Sequence, residues 1–493
     1  MFNKILIANR GEIAIRIMGA CKELDIKPVV VYSEPDKNSL HVRYAKEAYC
    51  IGESPVKSYL NGEKIIDTAL KCGADAIHPG YGFLAENNEF ARDCEKTGIV
   101  LIGPSSKVLK KMGDKVCARR IMAKAGVPLV PGTKKPIKDE EDALEIAESL
   151  GYPVVVKCVG CGGGRGIRIA KNEEELKGAI ASARSEGMSS FGISEVYIEK
   201  YIEEPRHIEF QIVADKYGKI IHLGERDCSI QRRYQKLIEE SPSPAINGEL
   251  RETLGKLAVK GAKEAGYTNL GTVEFLMDKD KNFYFLEVNT RIQVEHPVTE
   301  MVTGVDLIKE QIRMAAGERI ECDQEDIRMR GHSIQCRIYA EDPFNDFIPT
   351  PGTIDTYIVP RGFGVRLDSS VYEGYTILPY FDPMISKVIV WGRNRKEAIK
   401  RMRRALDEYI ITGEGIKTTI PFNKLVMEDQ YYREGNYSTS FYQQRIMPKL
   451  KKKIEDSVTI VAITAAISAY LGKNPEEIKI SSIEPLDDVN EKV

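Results

Sequence analysis

Short apolar strands alternate with amphipathic helices over the first hundred residues, and this order constrains the fold more than any other feature of the chain. A strand at 5–8 leads through a turn into a helix that carries Ile13, Ile17, Ala20 and Leu24 on one face. Further apolar strands follow at 28–32, 75–78 and 99–102. This order predicts a Rossmann-like parallel sheet with a ligand site at the carboxyl ends of its strands. The first turn lacks the GxGxxG sequence that binds dinucleotides, so a dinucleotide site is not expected.

The overall composition excludes several classes of protein. The 493-residue chain has a net charge of −2, which argues against a protein defined by nucleic-acid binding. Its N-terminus lacks the apolar core of a signal peptide, and its longest apolar run, 458–471, is too short to span a membrane. Ten cysteines are spread along the chain without a dense framework, which indicates reduced thiols. We therefore expect a cytoplasmic protein of two or three domains.

Prolines and glycines between 128 and 136 separate the first segment from a small α+β unit at about 130–202. Strands dominate from His207 to 288 and again from 332 to 395. The remaining predicted elements are a charged helix at 395–409, a basic linker that begins at 449–453 and an apolar helix at 457–472.

The glycine-rich stretch 157–169 (KCVGCGGGRGIRI) lies between two apolar strands. Its Cys158-x-x-Cys161 spacing is weak evidence for a metal or a redox pair, because a structural zinc needs four ligands. Glycines allow backbone amides to approach phosphate oxygens, and Lys157 can reach the same group. A strand rather than a helix follows the glycines, so the stretch is not a P-loop. It is either a lid hairpin over a triphosphate or a plain flexible hairpin.

Two neighbouring strands carry acidic side chains that predict a metal site. In the second strand, Glu287 and Asn289 share a face because strand residues two apart point the same way. If a hairpin turn joins this strand to 271–277, Glu274 lies within one residue of the position opposite Glu287. Two carboxylates and an amide oxygen suit Mg²⁺ or Mn²⁺ bound together with phosphates. A solvated polar sheet face is the alternative.

The segments around these strands supply candidate catalytic groups. Arg291 can neutralise an oxyanion beside the metal site, and Glu295 can serve as general base for a small acidic nucleophile. The run 226–236 holds four cations within eleven residues, which indicates either an anion pocket or a solvated face. In a chain that also offers a glycine lid and a metal site, the anion pocket fits better.

Six motifs occur in order along the chain. They are 7–12 (IANRGE), 78–83 (HPGYGF), 112–115 (MGDK), the glycine-rich stretch, 225–233 (ERDCSIQRR) and 287–297 (EVNTRIQVEHP). Together they resemble biotin carboxylase, an ATP-grasp enzyme, from residue 1 to about 446. The resemblance implies a mixed α/β and α+β fold. Its parts are an N-terminal domain at 1–114, an ATP-grasp region at 115–315 with a mobile lid at about 130–202, and a strand-rich C-terminal domain at 332–447.

The resemblance also implies a ligase reaction. ATP phosphorylates bicarbonate to carboxyphosphate, and the CO₂ passes to N1′ of a biotin carried on a separate domain. The implied cofactors are ATP, two Mg²⁺ or Mn²⁺ ions and the carried biotin. The chain has no Ala-Met-Lys-Met biotinylation motif and ends before an acyl-acceptor domain could fit. The biotin carrier and the carboxyltransferase are therefore expected on another polypeptide.

Nucleotide and metal contacts follow from the resemblance residue by residue. The implied phosphate contacts are Lys115, Lys157, Gly163, Gly164 and Arg165. The implied adenine contacts, largely through the backbone, are Glu199, Lys200, Tyr201 and Ile202. His207, Gln231 and Tyr234 lie near the ribose and phosphates, and Glu274, Glu287 and Asn289 hold the metal ions that ATP brings with it. The family usually has His or Asn where this chain has Tyr234, and a phenol cannot become cationic near neutral pH.

The same resemblance assigns the acid–base and biotin chemistry. The implied bicarbonate contacts are Lys236, Arg291, Gln293, Val294 and Glu295. Glu295 removes the bicarbonate proton, Arg337 stabilises the biotin enolate, and Tyr81 lines the biotin pocket. The implied catalytic residues are thus Lys236, Arg291, Glu295 and Arg337.

The segment 454–493 lies outside the minimal enzyme. Its apolar helix predicts a docking helix for a partner chain, with self-packing as the alternative. A free-standing chain with such a tail resembles the biotin carboxylase subunit of two-subunit pyruvate carboxylases, as a homodimer within a larger hetero-oligomer. The alternatives are the corresponding subunit of acetyl-CoA or propionyl-CoA carboxylase, a different ATP-grasp ligase, and a non-catalytic ATP-binding regulatory protein.

Overall fold

A computed structural model describes residues 1–133, 135–158, 167–191, 195–471 and 474–475. The N-terminal segment forms the predicted parallel sheet. In spatial order its five strands are Ala48–Gly52, Lys27–Ser33, Lys4–Ile7, Ala76–His78 and Val100–Leu101. Its helices are Gly11–Glu23, Leu40–Tyr44, Pro55–Tyr59, Gly62–Cys72 and Asn88–Thr97. The strand order reverses between Lys4–Ile7 and Ala76–His78, which opens a crevice at the carboxyl ends of these strands.

The first turn shows how the sequence produces this unit. Gly11 has φ +68°, a backbone conformation that favours glycine, and it lets the first strand turn at once into the helix Gly11–Glu23. Ile13, Ile17 and Ala20 of that helix are buried, as their spacing predicts. The turn therefore lies at the carboxyl end of the strand, on the side of the predicted site.

An eight-stranded antiparallel sheet carries most of the predicted site residues. In spatial order its strands are Phe283–Asn289, Asn269–Met277, Arg206–Ala214, Ile220–Arg232, Gln235–Ser241, His332–Tyr339, Met384–Gly392 and Val365–Ser369. Helices packed on it include Lys115–Lys124, Gly248–Ala265, His296–Thr303, Leu307–Ala316 and Arg395–Glu408. Because Gln235–Ser241 pairs with His332–Tyr339, the sheet continues from the predicted ATP-grasp region into the C-terminal segment.

The hairpin that carries the acidic residues has the predicted register. Glu274 lies directly opposite Glu287, and a register shift follows Glu274. The expectation that these carboxylates lie within one residue of facing each other is therefore confirmed. Val273 and Phe275, which alternate with Glu274, are fully buried on the other face of the sheet.

A small unit of three strands stands apart from the large sheet. In spatial order its strands are Ile167–Ala170, Val154–Cys158 and Val196–Lys200, with the helices Glu140–Leu150 and Glu173–Phe191. The first two strands are antiparallel, so the strands that flank the glycines form the predicted hairpin. Residues 159–166, which include Gly163, Gly164 and Arg165, lie outside the described residues.

The C-terminal segment adds short strand pairs and helices around its own core. The pairs are Glu341–Asp342 with Ile348–Pro349, Gly352–Thr353 with Thr376–Ile377, and Thr356–Ile358 with Ile410–Thr412. Further helices of the chain are Ser106–Gly113, Ile420–Glu428 and Gln430–Glu434, with short helical turns at Glu34–Asp36, Gln324–Asp326 and Tyr442–Ile446.

One long helix, Met447–Leu471, replaces the predicted linker and separate apolar helix. The prediction of a linker at 449–453 is wrong, because lysine is a good helix former and the lysines at 451–453 keep their charges exposed on this helix. Leu450 is buried and Lys449 Nζ lies 2.6 Å from Asp429 Oδ2, which anchors the start of the helix. Among the described helices, none is both long enough and apolar enough to cross a membrane.

Candidate active site

Alternating positions on adjacent strands bring the acidic residues to one sheet face. His207, Glu209 and Gln211 alternate along Arg206–Ala214, and all three are buried. Glu209 pairs with Glu274 on the next strand. Glu274 also faces Glu287 on its other side. Three acidic side chains, Glu209, Glu274 and Glu287, therefore lie in a row across three strands.

Lys236 is the cation at the centre of this acidic row. Its Nζ donates to Glu209 Oε2 at 2.6 Å and to Glu274 Oε1 and Glu295 Oε1 at 2.7 Å each. Burial lowers the pKa of Lys236, but the three carboxylates outweigh burial and raise that pKa well above its usual value. The ammonium therefore stays charged and holds the three carboxylates together.

Glu295 lies between two cations. Its second oxygen accepts from Arg337 Nη2 at 3.0 Å, and Arg337 Nε donates to Glu239 Oε1 at 2.6 Å. Burial raises the pKa of the Glu295 carboxyl, but Lys236 and Arg337 outweigh burial and hold that pKa well below its usual range. Glu295 is therefore ionised at neutral pH and can accept a proton.

Glu274, Glu287 and Asn289 form an oxygen-rich cluster. Asn289 Nδ2 donates to Glu274 Oε1 at 2.7 Å. Burial and the charge of Glu274 raise the pKa of the Glu287 carboxyl, a repulsion that a divalent cation relieves. Glu274 is 3% exposed and Asn289 is 7% exposed, so neither belongs to a solvated sheet face. The donor set fits Mg²⁺ or Mn²⁺.

His207 joins this cluster from the neighbouring strand. Its Nε2 lies 2.8 Å from Glu274 Oε2, and its Nδ1 lies 2.8 Å from Gln231 Nε2. His207, Glu209 and Glu274 also offer ligand atoms within 4.8 Å of one another. Glu209 is already paired with Arg226 Nε at 2.5 Å, however, which favours a role for Glu209 in holding the cations.

Arg226 is a fully buried residue to which the sequence patterns assigned no role of its own. Its guanidinium donates hydrogen bonds to five side chains. They are Glu209, Gln211, Thr272, Gln293 and Thr299. Arg226 thereby links the strands Arg206–Ala214 and Asn269–Met277 to Gln293 and Thr299, which follow the strand Phe283–Asn289 in sequence. Its position in the run 226–236 could have indicated such a role, because charged residues there interrupt a strand that is otherwise suited to a buried position.

Glu209 and Glu239 were missed in the same way. Glu209 could have been found from the alternation of His207, Glu209 and Gln211, which predicts three polar side chains on one face. Glu239 carries no comparable pattern, and only strand pairing shows that it contacts Arg337.

The two described residues among the predicted phosphate contacts, Lys157 and Lys115, lie on a lid strand and at the start of the helix Lys115–Lys124. Lys157 and Glu199, on paired lid strands, form an ion pair, and Arg119 Nη1 lies 2.8 Å from Glu199 Oε1. Lys115 is the exposed first residue of Lys115–Lys124, and its charge lowers the pKa of Glu287, which burial raises. The helix Lys115–Lys124 therefore connects the two groups, because Arg119 contacts the lid residue Glu199 and the charge of Lys115 acts on Glu287.

The predicted adenine segment is partly engaged within the protein. The amide of Lys200 donates to the Pro131 carbonyl at 2.8 Å, and the amide of Tyr201 donates to the Pro153 carbonyl at 3.1 Å. Adenine contacts through these two amides require those bonds to be replaced, whereas the carbonyls of Glu199 to Ile202 can each accept a further hydrogen bond.

Tyr234 lies at the tip of a tight hairpin turn. Arg233 and Tyr234 have φ values of +50° and +65°, and Tyr234 is 71% exposed. The phenol therefore projects from the turn between the strands that carry Gln231 and Lys236.

The remaining bicarbonate and biotin candidates complete the arrangement. Arg291 donates to Glu86 Oε2 at 2.9 Å and to Asn289 Oδ1 at 3.1 Å. Gln293 donates to Glu274 Oε1 at 2.8 Å, which places it beside Lys236. Tyr81 lies close enough to Arg337 that the guanidinium lowers the pKa of this tyrosine, although burial raises that pKa well above its usual value.

Three domain families match successive segments of the chain. They are "Biotin carboxylase, N-terminal domain" at 1–109, "Carbamoyl-phosphate synthase L chain, ATP binding domain" at 114–322 and "Biotin carboxylase C-terminal domain" at 335–444. A pyruvate carboxylase subunit of Methanothermobacter thermautotrophicus is 54% identical over 489 residues, covering 96% of this chain and 99% of that protein. The chain belongs to the biotin carboxylase family.

Two further relatives support the same membership. Biotin carboxylase 1 of Bacillus subtilis is 55% identical over 445 residues, covering 90% of this chain and 98% of that protein. The crystal structure of the biotin carboxylase domain dimer of Hydrogenobacter thermophilus 2-oxoglutarate carboxylase holds MgADP, ADP and bicarbonate. It is 54% identical, covers 92% of this chain and 99% of that chain, and has a TM-score of 0.87.

This biotin carboxylase is an ATP-dependent ligase, the biotin carboxylase subunit of a biotin-dependent carboxylase. The predicted family and the mixed fold, with a Rossmann-like N-terminal sheet, an ATP-grasp region and a C-terminal domain, are confirmed. The alternatives of another ATP-grasp ligase and of a non-catalytic regulatory protein are thereby excluded.

Proposed function

We propose that this biotin carboxylase serves a pyruvate carboxylase, so that the complete assembly converts pyruvate to oxaloacetate. The reach of the sequence match supports a 2-oxo acid acceptor, because a pyruvate carboxylase subunit and a 2-oxoglutarate carboxylase subunit each match 96% of the chain. The segment after residue 444 makes up about a tenth of the 493-residue chain. The match to Bacillus subtilis biotin carboxylase 1 covers 90% of this chain, so it leaves an equal share of the chain unmatched. The match to the Methanothermobacter thermautotrophicus pyruvate carboxylase protein covers 96% of the chain, so it must extend into the helix Met447–Leu471.

A second candidate acceptor is 2-oxoglutarate. The relative of known structure with a TM-score of 0.87 is a 2-oxoglutarate carboxylase, and 2-oxoglutarate and pyruvate are both 2-oxo acids.

ATP is bound between the lid and the large sheet. Lys115 and Lys157 neutralise its phosphates, together with Arg165 and the amides of Gly163 and Gly164. Glu199, Lys200, Tyr201 and Ile202 contact adenine, and His207, Gln231 and Tyr234 contact the ribose and phosphate side. Two Mg²⁺ or Mn²⁺ ions held by Glu274, Glu287 and Asn289 would neutralise charge on the transferring phosphoryl group.

Bicarbonate lies beside the Lys236 ammonium, with Arg291, Gln293 and Val294 around it. Glu295 accepts its proton, because this carboxylate is ionised and lies 2.7 Å from the same ammonium. An anion that shares Lys236 weakens the hold of that cation on Glu295. The carboxylate therefore becomes more basic when bicarbonate is bound.

Biotin is received on the other side of Glu295. Arg337 stabilises the enolate oxygen of the biotin ring through its fixed guanidinium, and Tyr81 packs beside that ring. Arg337 also donates to Glu239 Oε1 at 2.6 Å. This second hydrogen bond keeps the orientation of the guanidinium while Glu295 changes its protonation.

The biotin is carried by a separate carrier and carboxyltransferase chain, which docks on the tail 454–493. The protein acts in the cytoplasm as a homodimer within that assembly. The dimer is supported by the dimeric biotin carboxylase domain of the 2-oxoglutarate carboxylase.

The decisive experiment measures bicarbonate-dependent ATP hydrolysis with and without free biotin. We expect biotin to stimulate hydrolysis, and absence of both dependences would overturn the carboxylase assignment. Labelled bicarbonate, the purified biotinylated partner and pyruvate should then give oxaloacetate. Labelling of 2-oxoglutarate or acetyl-CoA instead of pyruvate would replace the acceptor and leave the biotin chemistry intact.

A further inference from the structure

Lys387 is a fully buried lysine on the strand Met384–Gly392. Its neighbours across the sheet are Arg337 on one side and Asp368 on the other. Residues directly opposite each other in antiparallel strands point to the same face, so Lys387 and Arg337 share the face of the active site. The mechanism described above gives Lys387 no role, yet it lies next to the arginine proposed to bind biotin.

The Lys387 ammonium joins three distant segments of the chain. Nζ lies 3.2 Å from the Val294 carbonyl oxygen, 3.0 Å from Glu12 Oε1 and 3.5 Å from Asp368 Oδ2. A lysine with no exposed surface persists only where its charge is paired in this way. Asp368 is also bound by Arg366 at 2.7 Å, whereas Glu12 depends on Lys387 for its cation.

One contact of Lys387 leads to the bicarbonate side of the site. The Val294 carbonyl belongs to the peptide bond that precedes Glu295. A hydrogen bond to this carbonyl fixes the plane of that peptide. Because the Glu295 Cα atom lies in this plane, its position is fixed as well. Val294 is itself one of the proposed bicarbonate contacts.

A second contact leads to the biotin side. The Tyr81 hydroxyl donates to Glu12, and the Lys387 ammonium lies 5.9 Å from the centre of the Tyr81 ring. Burial raises the pKa of the Glu12 carboxyl, and the charge of Lys387 opposes that rise. Burial and the Glu12 charge raise the pKa of Tyr81, so the phenol keeps its proton and donates a hydrogen bond to Glu12.

We propose that Lys387 is a positioning residue for biotin carboxylation. Its buried ammonium holds the Val294 carbonyl and, through Glu12, the Tyr81 ring, so that the bicarbonate segment and the biotin-facing phenol keep a fixed separation. The proposal rests on the proposed function, because Val294 and Tyr81 are the proposed contacts of the two substrates.

The test compares Lys387→Met and Glu12→Gln in the full chain by their KM values for bicarbonate, free biotin and ATP. We expect Lys387→Met to raise KM for both bicarbonate and biotin by about tenfold or more. Glu12→Gln should raise KM for biotin alone, since Glu12 has no contact with Val294. KM for ATP should stay within about twofold in both variants, because neither residue reaches the nucleotide side.

Lys4→Met is the matched control. Lys4 also binds a carboxylate and a carbonyl, Glu47 Oε2 at 3.0 Å and the Cys72 oxygen at 2.7 Å, but it lies in the N-terminal sheet away from the site. We expect Lys4→Met to leave all three KM values unchanged. If Lys387→Met does not fold, the double variant Lys387→Met with Glu12→Gln removes both charges and carries the test, with raised KM for both substrates expected.

The outcomes separate the two levels of inference. Folded Lys387 variants with wild-type KM values for bicarbonate and biotin would overturn the positioning role while leaving the carboxylase intact. An equal rise in all three KM values, matched by Lys4→Met, would show a general structural effect and also overturn it. A wild-type protein without biotin-stimulated turnover would remove the proposed function and the positioning role together.

Discussion

Lys236 and Glu295 form a buried ion pair in which Nζ lies 2.7 Å from Oε1. The other carboxylate oxygen of Glu295 accepts from Arg337 at 3.0 Å. One carboxylate therefore bridges the cation proposed for bicarbonate and the cation proposed for biotin. Protonation of Glu295 would weaken both ion pairs, so in the proposed mechanism proton removal from bicarbonate is linked to the binding of biotin.

Glu295→Gln should abolish bicarbonate-dependent turnover. Glutamine keeps the shape of the side chain but cannot accept a proton, so we expect bicarbonate-dependent ATP hydrolysis to fall by about 100-fold or more. ATP affinity, measured by equilibrium binding, should be unchanged. The control is Glu249→Gln, an exposed glutamate at the start of Gly248–Ala265. Substantial turnover in Glu295→Gln would remove Glu295 as the base.

Lys236→Met should damage stability as well as activity. Glu209, Glu274 and Glu295 lose their shared cation, and breaking a buried ion pair by removing one partner costs about 3 kcal/mol or more. Thermal unfolding measures this loss. Lys256→Met is the control, because solvent screens its exposed pair with Glu252 at 2.6 Å and this pair adds little to stability. Equal stability of the two variants would contradict the central role of Lys236.

The parts of the site that lie along one strand or one hairpin could be predicted from sequence. Alternation within a strand fixes which side chains share a face, so Glu287 and Asn289 followed directly from the pattern. Their alignment with Glu274 needed only the assumption of a hairpin turn, and the observed register bears it out. The six motifs supplied the family, which local periodicity could not.

Contacts between distant segments could not be predicted in the same way. Glu239 and Arg337 meet because Gln235–Ser241 pairs with His332–Tyr339, and no local pattern specifies that pairing. Lys387 meets Glu12 across most of the chain length. The error at 449–453 has another cause: lysine has high helix propensity, so a basic run that resembles a linker can continue a helix.

Glu287→Gln should weaken the response to metal. The neutral amide removes one anionic ligand from the proposed Glu274, Glu287 and Asn289 set, so we expect the Mg²⁺ concentration for half-maximal ATP turnover to rise by about tenfold or more. Activity should recover at high Mn²⁺. Asp280→Asn, in the exposed hairpin turn, is the control. An unchanged Mg²⁺ titration in Glu287→Gln would show that Glu287 is not a ligand.

His41 should make the stability of the N-terminal unit depend on pH. Burial lowers the pKa of His41 to about 4, although the charge of the nearby Asp36 carboxylate opposes that shift. An unfolded chain takes up this proton near pH 6.5, whereas the folded protein stays neutral until about pH 4. The stabilisation is therefore complete above pH 6.5 and is lost as the pH falls towards 4, by up to about 3 kcal/mol.

Urea unfolding at pH 7.5, 5.5 and 4.5 measures this loss. His41→Gln should reduce the pH dependence between 6.5 and 4 by the His41 share, since glutamine does not titrate, while His78, His222 and His296, whose pKa values burial also lowers, keep their shares. Arg43→Gln, exposed on the same short helix, is the control and should keep the wild-type slope. Identical slopes for wild type and His41→Gln would show that His41 does not carry the effect.

Deleting 454–493 should separate catalysis from assembly. The truncation keeps Leu450 and the Lys449–Asp429 pair, which anchor the start of the tail helix, so biotin-stimulated ATP hydrolysis should remain at the wild-type level. It removes Tyr470, which is 90% exposed on that helix and available to a partner. We therefore expect the biotinylated partner chain to co-purify with the full chain and not with the truncated one.

Tyr470→Ala should weaken this association, whereas Tyr44→Ala should not, because Tyr44 is an exposed tyrosine (53% exposed) that lies outside the tail helix. A truncated enzyme that loses free-biotin activity would instead favour self-packing of the tail on the enzyme, and a truncated enzyme that still retains the partner would place the docking surface elsewhere.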